Sequence, residues 1–304
     1  MARPWHRLTD AAAWAPVVCL AAAIGTSATA SAALAGTRTW LQEINYYRVG
    51  AGLKPVTDNT TWDKGIINHL RYLAKTPASY MTGQYASAHT ENPKSPYYTK
   101  SGALEASRSD LLFGDSGPLG DIDTWLTAPF HGIGMLRSGL HRVAFAHGYG
   151  DAGLDVLGGL VFGKADPKPI LFPGNNVTTN LTSYAGGELP NPLQSCHFTK
   201  AAGKKPVGLP LIALLPATPS RKLIARLAEP GGHVERTLAG TLCLVDQFTY
   251  HSTDPVYGPT GKAILVGDHA VLLFPSGDLK PGSYHVTVYD GAKITYRWTF
   301  KVKL

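Results

Sequence analysis

Two histidines and two glutamates that could bind metal or move protons lie between residues 89 and 131. His89 and Glu91 stand in the stretch Ala-His-Thr-Glu-Asn-Pro, Glu105 follows a glycine by three positions, and His131 ends the stretch Ala-Pro-Phe-His. Imidazole and carboxylate groups are the ligands that zinc uses and the groups that carry general acid–base catalysis. Residues so far apart in sequence act together only if the fold brings them into one cleft.

We predict that His89 and His131, with Glu105 or Glu91, bind Zn²⁺ weakly. Such a set supplies three or four ligands at about 2.0–2.2 Å. Affinity would rise with pH, because both imidazoles must be neutral to bind the metal. The alternative is that both histidines only organise the surrounding loops through hydrogen bonds. His69, beside an apolar helical stripe, is more typical of a buried histidine with one hydrogen bond than of a ligand.

Helical signals precede and follow this stretch. Thr39-Trp-Leu-Gln42 has the pattern of a capping box and predicts a first helix that ends at Gly50. Apolar residues at helical spacing predict a second helix that begins near Thr61 and stops at Thr76-Pro77. Residues 79–121 are rich in Tyr, Ser, Gly, Asn and Pro and predict a long structured loop. A short helix around Trp125 and another that starts at Pro129 follow.

Two apolar runs, Val143–Ala146 and Leu154–Phe162, are predicted to be paired strands. Helices followed by a sheet, without a βαβ rhythm, favour the α+β class or an αβα sandwich. From Gly208 onward, about seven strand-like runs at sandwich spacing predict an all-β, immunoglobulin-like sandwich. Tyr284, after a Lys-Pro-Gly-Ser turn, is typical of the corner tyrosine of such folds. The runs are Leu209–Leu215, Leu223–Leu227, Leu242–Phe248, Ala263–Val266, Ala270–Phe274, Tyr284–Tyr289 and Ile294–Val302.

These patterns divide the chain into a signal peptide (1–32), a first domain (37–163), a linker rich in proline and glycine (164–207) and a β-sandwich (208–304). Arg3, Arg7, an apolar run and Ala30-Ser-Ala32 have the pattern of a cleavable secretory signal. No later apolar stretch approaches 18 residues, so we predict a secreted mature protein without a transmembrane segment. Cys19 lacks the small residue expected before a lipidated cysteine, which argues against a lipoprotein.

Cys196 and Cys243 remain after signal cleavage, and an even pair in an oxidising compartment predicts a disulfide. The closed loop of about 48 residues would be worth roughly 4 kcal/mol in the chain-entropy model. The alternative is two free, buried thiols.

Charge and motifs exclude several classes of function. The formal net charge is +7 and 16% of residues are charged, with no dense basic run beyond Lys204-Lys205, which argues against nucleic-acid binding. A basic exported protein can still adhere to anionic polymers or lipid headgroups at the cell surface. No P-loop, dinucleotide fingerprint or Gly-x-Ser-x-Gly elbow occurs. Gly114-Asp-Ser-Gly117 resembles a trypsin-like nucleophile stretch, but the helical region before it excludes that fold.

The first domain resembles the CAP superfamily (SCP-like extracellular proteins, the cysteine-rich secretory protein family) in its bacterial secreted branch. The residues that carry the resemblance are Asn45-Tyr-Tyr-Arg48 with Gly52-Leu-Lys-Pro-Val56, Trp62–Tyr72, His89-Thr-Glu91, Tyr98–Gly102, Trp125–His131 with Met135-Leu136, and Val143–Ala146. It covers residues 37–163.

The resemblance implies an αβα sandwich with a cleft of two histidines and two acids that holds a divalent metal in several relatives. His89 and His131 match the two histidines, and Glu105, or its rival Glu91, matches the first acid. The second family glutamate, expected just before the Pro-x-His stretch, is missing, and Asp121 and Asp123 are the only acids nearby.

We therefore expect a secreted, non-enzymatic binding or cell-surface interaction protein whose partner is an extracellular ligand such as a lipid or a cell-wall glycan. The competing expectation is a metal-assisted hydrolase of peptide or cell-wall material, with Glu91 or Glu105 as base. A sterol or fatty-acid carrier is a third expectation, and it rests on the family resemblance alone.

Overall fold

The computed structural model describes residues 38–163, 166–184, 186–198 and 207–304. The predicted signal peptide lies outside the described residues, and so do residues 164–165, 185 and 199–206 of the predicted linker. Helices and three β-sheets together confirm the α+β class. Among the described residues, no helix has both the length and the apolar character needed to cross a membrane.

In the described residues, the α-helices are α1 (Trp40–Gly50), α2 (Thr60–Lys75), α3 (Lys100–Ala106), α4 (Pro118–Thr127), α5 (Pro129–Leu136) and α6 (Gly258–Gly267). The strands are β1 (Thr57–Asp58), β2 (Ser109–Phe113), β3 (Arg142–Gly148), β4 (Asp151–Asp155), β5 (Ile170–Phe172), β6 (Val177–Thr179), β7 (Leu211–Leu214), β8 (Leu223–Ala228), β9 (Val234–Arg236), β10 (Leu242–Val245), β11 (Ala270–Pro275), β12 (Gly282–Asp290) and β13 (Lys293–Val302).

Local capping chemistry explains where the first helices begin. The hydroxyl of Thr39 accepts from the backbone N–H of Gln42 at 3.3 Å, and the Gln42 side chain accepts from the N–H of Thr39 at 2.8 Å. This is the predicted capping box of α1. The side chain of Asn59 caps α2, and Pro129 stands in the first turn of α5 as predicted.

The first sheet has the order β1-β3-β4-β2 and lies between two helical layers. Strand β1 runs parallel to β3, and the other pairs are antiparallel. Val143 and Phe145 pack into the large core that includes α1, α4 and α5, whereas Ala144 and Ala146 pack under α2. This alternation gives the helix–sheet–helix layering of the first half.

Part of the predicted loop over residues 79–121 is regular structure. It contains α3, capped by the Thr99 hydroxyl, and β2, which pairs with β4. The predicted pairing of the two apolar runs is confirmed, but the second strand ends at Asp155 instead of Phe162. The Asp155 carboxylate accepts from the N–H groups of Leu157 and Gly158, and this turn stops the strand.

The C-terminal half contains two sheets, with the orders β10-β11-β7-β5 and β6-β13-β12-β8-β9. The predicted corner contact is present, because the Tyr284 hydroxyl donates to the carbonyl of Lys280 at 2.9 Å. The predicted strand Ala263–Val266 is wrong, since these residues belong to α6. A proline in the first turn starts this helix, and Leu265 is buried in the core.

We call residues 166–198 the strap, with residue 185 outside the description. Its strands join both C-terminal sheets, because β5 pairs with β7 and β6 pairs with β13. The predicted Cys196–Cys243 disulfide is confirmed and ties the end of the strap to β10. One buried apolar cluster extends from Ile44 in α1 to Val302 in β13. The first half, the strap and the C-terminal sheets therefore share a core.

Candidate functional site

His131 lies in the first turn of α5 and is held there by a glutamate from the strap. Its Nδ1 donates to Oε1 of Glu188 at 2.8 Å. The same oxygen accepts from the backbone N–H groups of Phe130 at 2.8 Å and of His131 at 3.1 Å. One carboxylate oxygen thus satisfies two unpaired N–H groups at the helix start and orients the imidazole.

Glu188 supplies the carboxylate beside His131, although no glutamate stands just before the Pro-x-His stretch in the sequence. The two acids near that stretch have other surroundings. Asp121 is buried and accepts from the backbone and hydroxyl of Ser116 at 2.8 and 3.1 Å. Burial raises the pKa of Asp123 to about 7, and the negative charge of Glu43 in α1 adds to this effect. Neither has a recorded contact with His131 in the described part of the chain.

His89 lies in the loop between α2 and α3. Its Nδ1 donates to the carbonyl of Ala106 at 3.1 Å, which fixes the neutral ring with an unprotonated Nε2. The hydroxyl of Tyr257, from the C-terminal half, accepts from the N–H of Ala88 at 2.9 Å. The Tyr257 ring meets the His89 ring edge-on at 6.0 Å. The C-terminal half therefore forms one wall beside His89.

The structure brings the two predicted histidines close enough for the charge of one to affect the other. Burial, and then the charge of His131, lowers the pKa of His89 to about 4. Burial alone would lower the pKa of His131, but the charges of Asp110 and Glu188 and the hydrogen bond to Glu188 outweigh it. The pKa of His131 rises to about 9. At neutral pH, His89 is neutral and His131 is a cation.

No family model matches the chain, and neither the curated proteins nor the solved structures include a significant match. Relatives therefore identify no residue of this site.

Several carboxylates of the first half are buried, and among them Asp110 lies close enough to His131 for its charge to raise the pKa of that histidine, whereas Glu105 has no recorded interaction with either histidine among the described residues. Burial, and then the charge of Asp155, raises the pKa of Glu105. Burial raises the pKa of Asp110 to about 7 against the opposing charge of His131. One oxygen of each of these carboxylates, and Oε2 of Glu188, has no hydrogen-bond partner among the described residues. These oxygens are buried acceptors that no described group satisfies.

Glu91 lies apart from the two histidines of the cleft. Its Oε1 is 2.9 Å from Nδ1 of His69, and its Oε2 accepts from the N–H of Thr99 at 3.2 Å. The Nε2 of His69 is 2.8 Å from the carbonyl of Ala88. His69 is thus buried with two partners where one was expected. The His69–Glu91 pair ties α2 to the loop that carries His89 and to the start of α3.

The donor set does not fit the predicted zinc site as it is arranged here. Among the described residues, no group of three or more His, Cys, Asp or Glu side chains has the geometry to hold a metal ion. The Nδ1 atoms of His89 and His131 are both engaged, which leaves Nε2 of each ring as the nitrogen available to a metal, but Glu105 interacts with Asp155 and adds no third ligand beside them. Since the pKa of His131 is about 9, a metal would also have to displace a proton at pH 7. That lowers apparent affinity by roughly a hundredfold.

Contacts from the C-terminal half hold α5 in place around the site. Arg137, just after α5, makes a bidentate pair with Asp268 at the end of α6, at 3.0 and 2.8 Å. The rings of Phe130 and Tyr250 meet edge-on at 5.7 Å. Together with Glu188, these contacts fix His131 from outside its own half of the chain.

Three acids of the site were missed by sequence reasoning. Glu188 follows two glycines in the strap, where a lone acid reads as ordinary loop composition. Asp110 lies in β2 and Asp155 ends β4, and these two strands pair with each other. The one available signal was an acid in each of two apolar strands, since charged residues are seldom fully buried without a role.

Proposed function

We propose that the protein is an exported, non-enzymatic binding protein of the CAP type that takes a hydroxyl-rich glycan in the His89/His131 cleft. The observation that carries this proposal is the hydrogen-bonding state of the two rings. His89 donates from Nδ1 and keeps Nε2 as an acceptor, and His131 donates from Nδ1 to Glu188. In its charged form, His131 keeps a second N–H at Nε2 as a donor. No described residue is recorded as a partner of either Nε2.

A sugar hydroxyl matches this arrangement because it donates and accepts at once. It can donate to Nε2 of His89 and accept from Nε2–H of His131. The unpartnered oxygens of Glu188 and Asp110 are fully buried, so the ligand contacts lie at the two Nε2 atoms. An apolar lipid tail would leave both Nε2 atoms unsatisfied, which costs roughly 1–3 kcal/mol for each. The chemistry thus favours a glycan over a sterol or a fatty acid.

The same histidines are poorly tuned for proton transfer. General acid–base catalysis works best when the pKa of the group lies near the working pH. The pKa of His89, about 4, makes it a weak base, and the pKa of His131, about 9, makes it a weak acid. Both histidines keep one protonation state across the neutral range, so the hydrogen-bond donor and acceptor that they offer to a ligand do not change with pH there. A metal-assisted hydrolase would further require a rearrangement of the donor set.

The wider assignment rests on several agreeing features. The helix–sheet–helix layering of residues 38–163 and the pairing of β3 with β4 support the CAP resemblance. The two C-terminal sheets and the Tyr284 corner support an immunoglobulin-like sandwich, although α6 and the strap add to it. The disulfide supports export to an oxidising compartment.

The test is a calorimetric titration of the mature protein with N-acetylglucosamine oligomers and soluble peptidoglycan fragments. We expect binding that falls at least about tenfold in His89→Gln and in His131→Gln, with the exposed His141→Gln as matched control. Metal content and hydrolysis of the same fragments and of casein are measured alongside. Turnover that disappears in both site variants would establish the hydrolase instead. Displacement of a fluorescent fatty acid without glycan binding would establish the carrier.

A further inference from the structure

The outer face of the five-stranded sheet carries a row of three arginines that have no ion-pair partner among the described residues. Pairing of β9, β8, β12 and β13 places Arg236 beside Arg226, Arg226 beside Thr287, and Thr287 beside Arg297. All three arginines are exposed. Neighbouring strands are about 4.8 Å apart, so the row spans roughly 15 Å across the sheet. This row lies in the C-terminal half and contributes nothing to the His89/His131 cleft.

Like charges in such a row are unfavourable unless an anion neutralises them. Arg226 and Arg236 are direct cross-strand neighbours, a position in which equal charges destabilise a sheet. None of the three guanidinium groups has a recorded carboxylate partner among the described residues. No outward-facing position of these four strands is Asp or Glu. Asp290, at the end of β12, accepts from the hydroxyl of Ser220 instead.

A row of apolar side chains lies next to the arginine row on the same face. Ile224 lies beside Tyr289, and Tyr289 lies beside Ile294 across a bulge in the pairing of β12 with β13. Ile294 is 45% exposed, and Leu238, in the 3-10 turn that follows β9 at the edge of the sheet, is 81% exposed. No described element covers either residue. A polar polymer would gain nothing from these side chains, whereas a lipid headgroup region accepts them at the depth of the phosphates.

We propose that this face, the arginine row with Leu238 and Ile294, is a docking surface for an anionic membrane. The arginines bind lipid phosphates, and the two apolar side chains enter the headgroup region. Guanidinium groups suit phosphate oxygens because they donate through a planar fork. Arginine near an anionic bilayer strengthens binding about fivefold for each side chain, so three give about a hundredfold.

The experiment is co-sedimentation of the mature protein with vesicles of phosphatidylcholine containing 30% phosphatidylglycerol, and with pure phosphatidylcholine vesicles. We expect binding to the anionic vesicles that is weakened by 0.5 M salt. The triple variant Arg226→Gln/Arg236→Gln/Arg297→Gln should bind the anionic vesicles about a hundredfold more weakly. The matched control is Lys54→Gln/Lys64→Gln/Lys94→Gln, which removes the same charge from exposed sites in the other half and should lose less than about fivefold.

A second comparison separates a membrane from a soluble polyanion. Leu238→Ser/Ile294→Ser should weaken vesicle binding and leave binding to dextran sulfate unchanged. Equal binding to neutral vesicles, an equal loss in the lysine control, or vesicle binding that is indifferent to the apolar pair would overturn the proposal. His131→Gln should bind vesicles like the wild type, so this result and the outcome of the glycan test are independent.

Discussion

Oε1 of Glu188 lies 2.8 Å from Nδ1 of His131, although 57 positions separate the two residues. The contact joins the strap to the first turn of α5 and, together with the charge of Asp110, keeps His131 in its charged state. A strap residue therefore sets the chemistry of a side chain in the other half of the molecule.

Replacing Glu188 with glutamine should lower the pKa of His131. An opposite charge at this distance raises a histidine pKa by about 1–3 units, and glutamine keeps the shape without the charge. NMR titration of the imidazole signals in Glu188→Gln should show a fall of at least about one unit. Glu229→Gln, a half-buried glutamate whose side chain has no recorded hydrogen bond among the described residues, is the control. An unchanged His131 titration would refute the role given to Glu188.

The charged state of His131 should make its contribution to stability depend on pH. Its folded pKa, about 9, is above the value of about 6.5 in unfolded chains. The contribution is therefore fully present below pH 6.5 and is lost as pH rises to 9, a change of about 3 kcal/mol. The difference in unfolding free energy between wild type and His131→Gln, from urea titrations, should shrink over that window. A difference that stays flat between pH 6.5 and 9 contradicts this account.

His89 should behave in the opposite direction. Its folded pKa, about 4, is below the unfolded value, so the folded state resists protonation. Stability is then lost as pH falls from about 6.5 to 4, again by about 3 kcal/mol. The same urea series with His89→Gln should remove this acid-side loss. If wild type and variant lose stability in parallel below pH 6.5, the ring is not held neutral by burial.

Gly65→Ala should destabilise the protein even though the change usually favours a helix. A Cβ at Gly65 in α2 would lie 2.5 Å from Cγ of Glu105 and 3.1 Å from the carbonyl of Ser101. Overpacking of this kind costs about 1–3 kcal/mol, more than the gain of about 1 kcal/mol in helix propensity. Gly267→Ala, in α6 with open space around it, should be neutral or stabilising. Equal effects in thermal unfolding would show that α2 and Glu105 are not in close contact.

Arg48 should be among the most sensitive residues outside the cleft. Its buried guanidinium donates to the carbonyls of Lys54, Met135, Arg137 and Leu140 at 2.6–3.1 Å. Lysine cannot reach all four, so Arg48→Lys should lower the unfolding free energy by about 2–4 kcal/mol. Arg297→Lys, exposed and unpaired, should change it by less than about 0.5 kcal/mol. A mild effect at Arg48 would mean that water replaces the lost contacts.

Sequence reasoning succeeded where the signals were local. The capping box at Thr39 and the proline of α5 act within a few residues, so those helices were predicted correctly. The strand predicted at Ala263–Val266 failed because a four-residue apolar run fits a buried helix as well as a strand. Nothing in the sequence near His131 points to Glu188, since only tertiary packing brings the strap to α5. The two histidines were found by residue type, whereas their partners depend on the whole fold.

The strap also determines what can be cut away from this protein. A fragment that ends at residue 163 keeps His89 and His131 but loses Glu188, Tyr257 and Asp268. The first-turn N–H groups of α5 would lose their shared acceptor, and the apolar face of α1 would be exposed to water. Such a fragment would retain every residue of the predicted motif and still lack a working cleft. The smallest fragment that keeps all of these contacts therefore reaches at least to Asp268, just after α6.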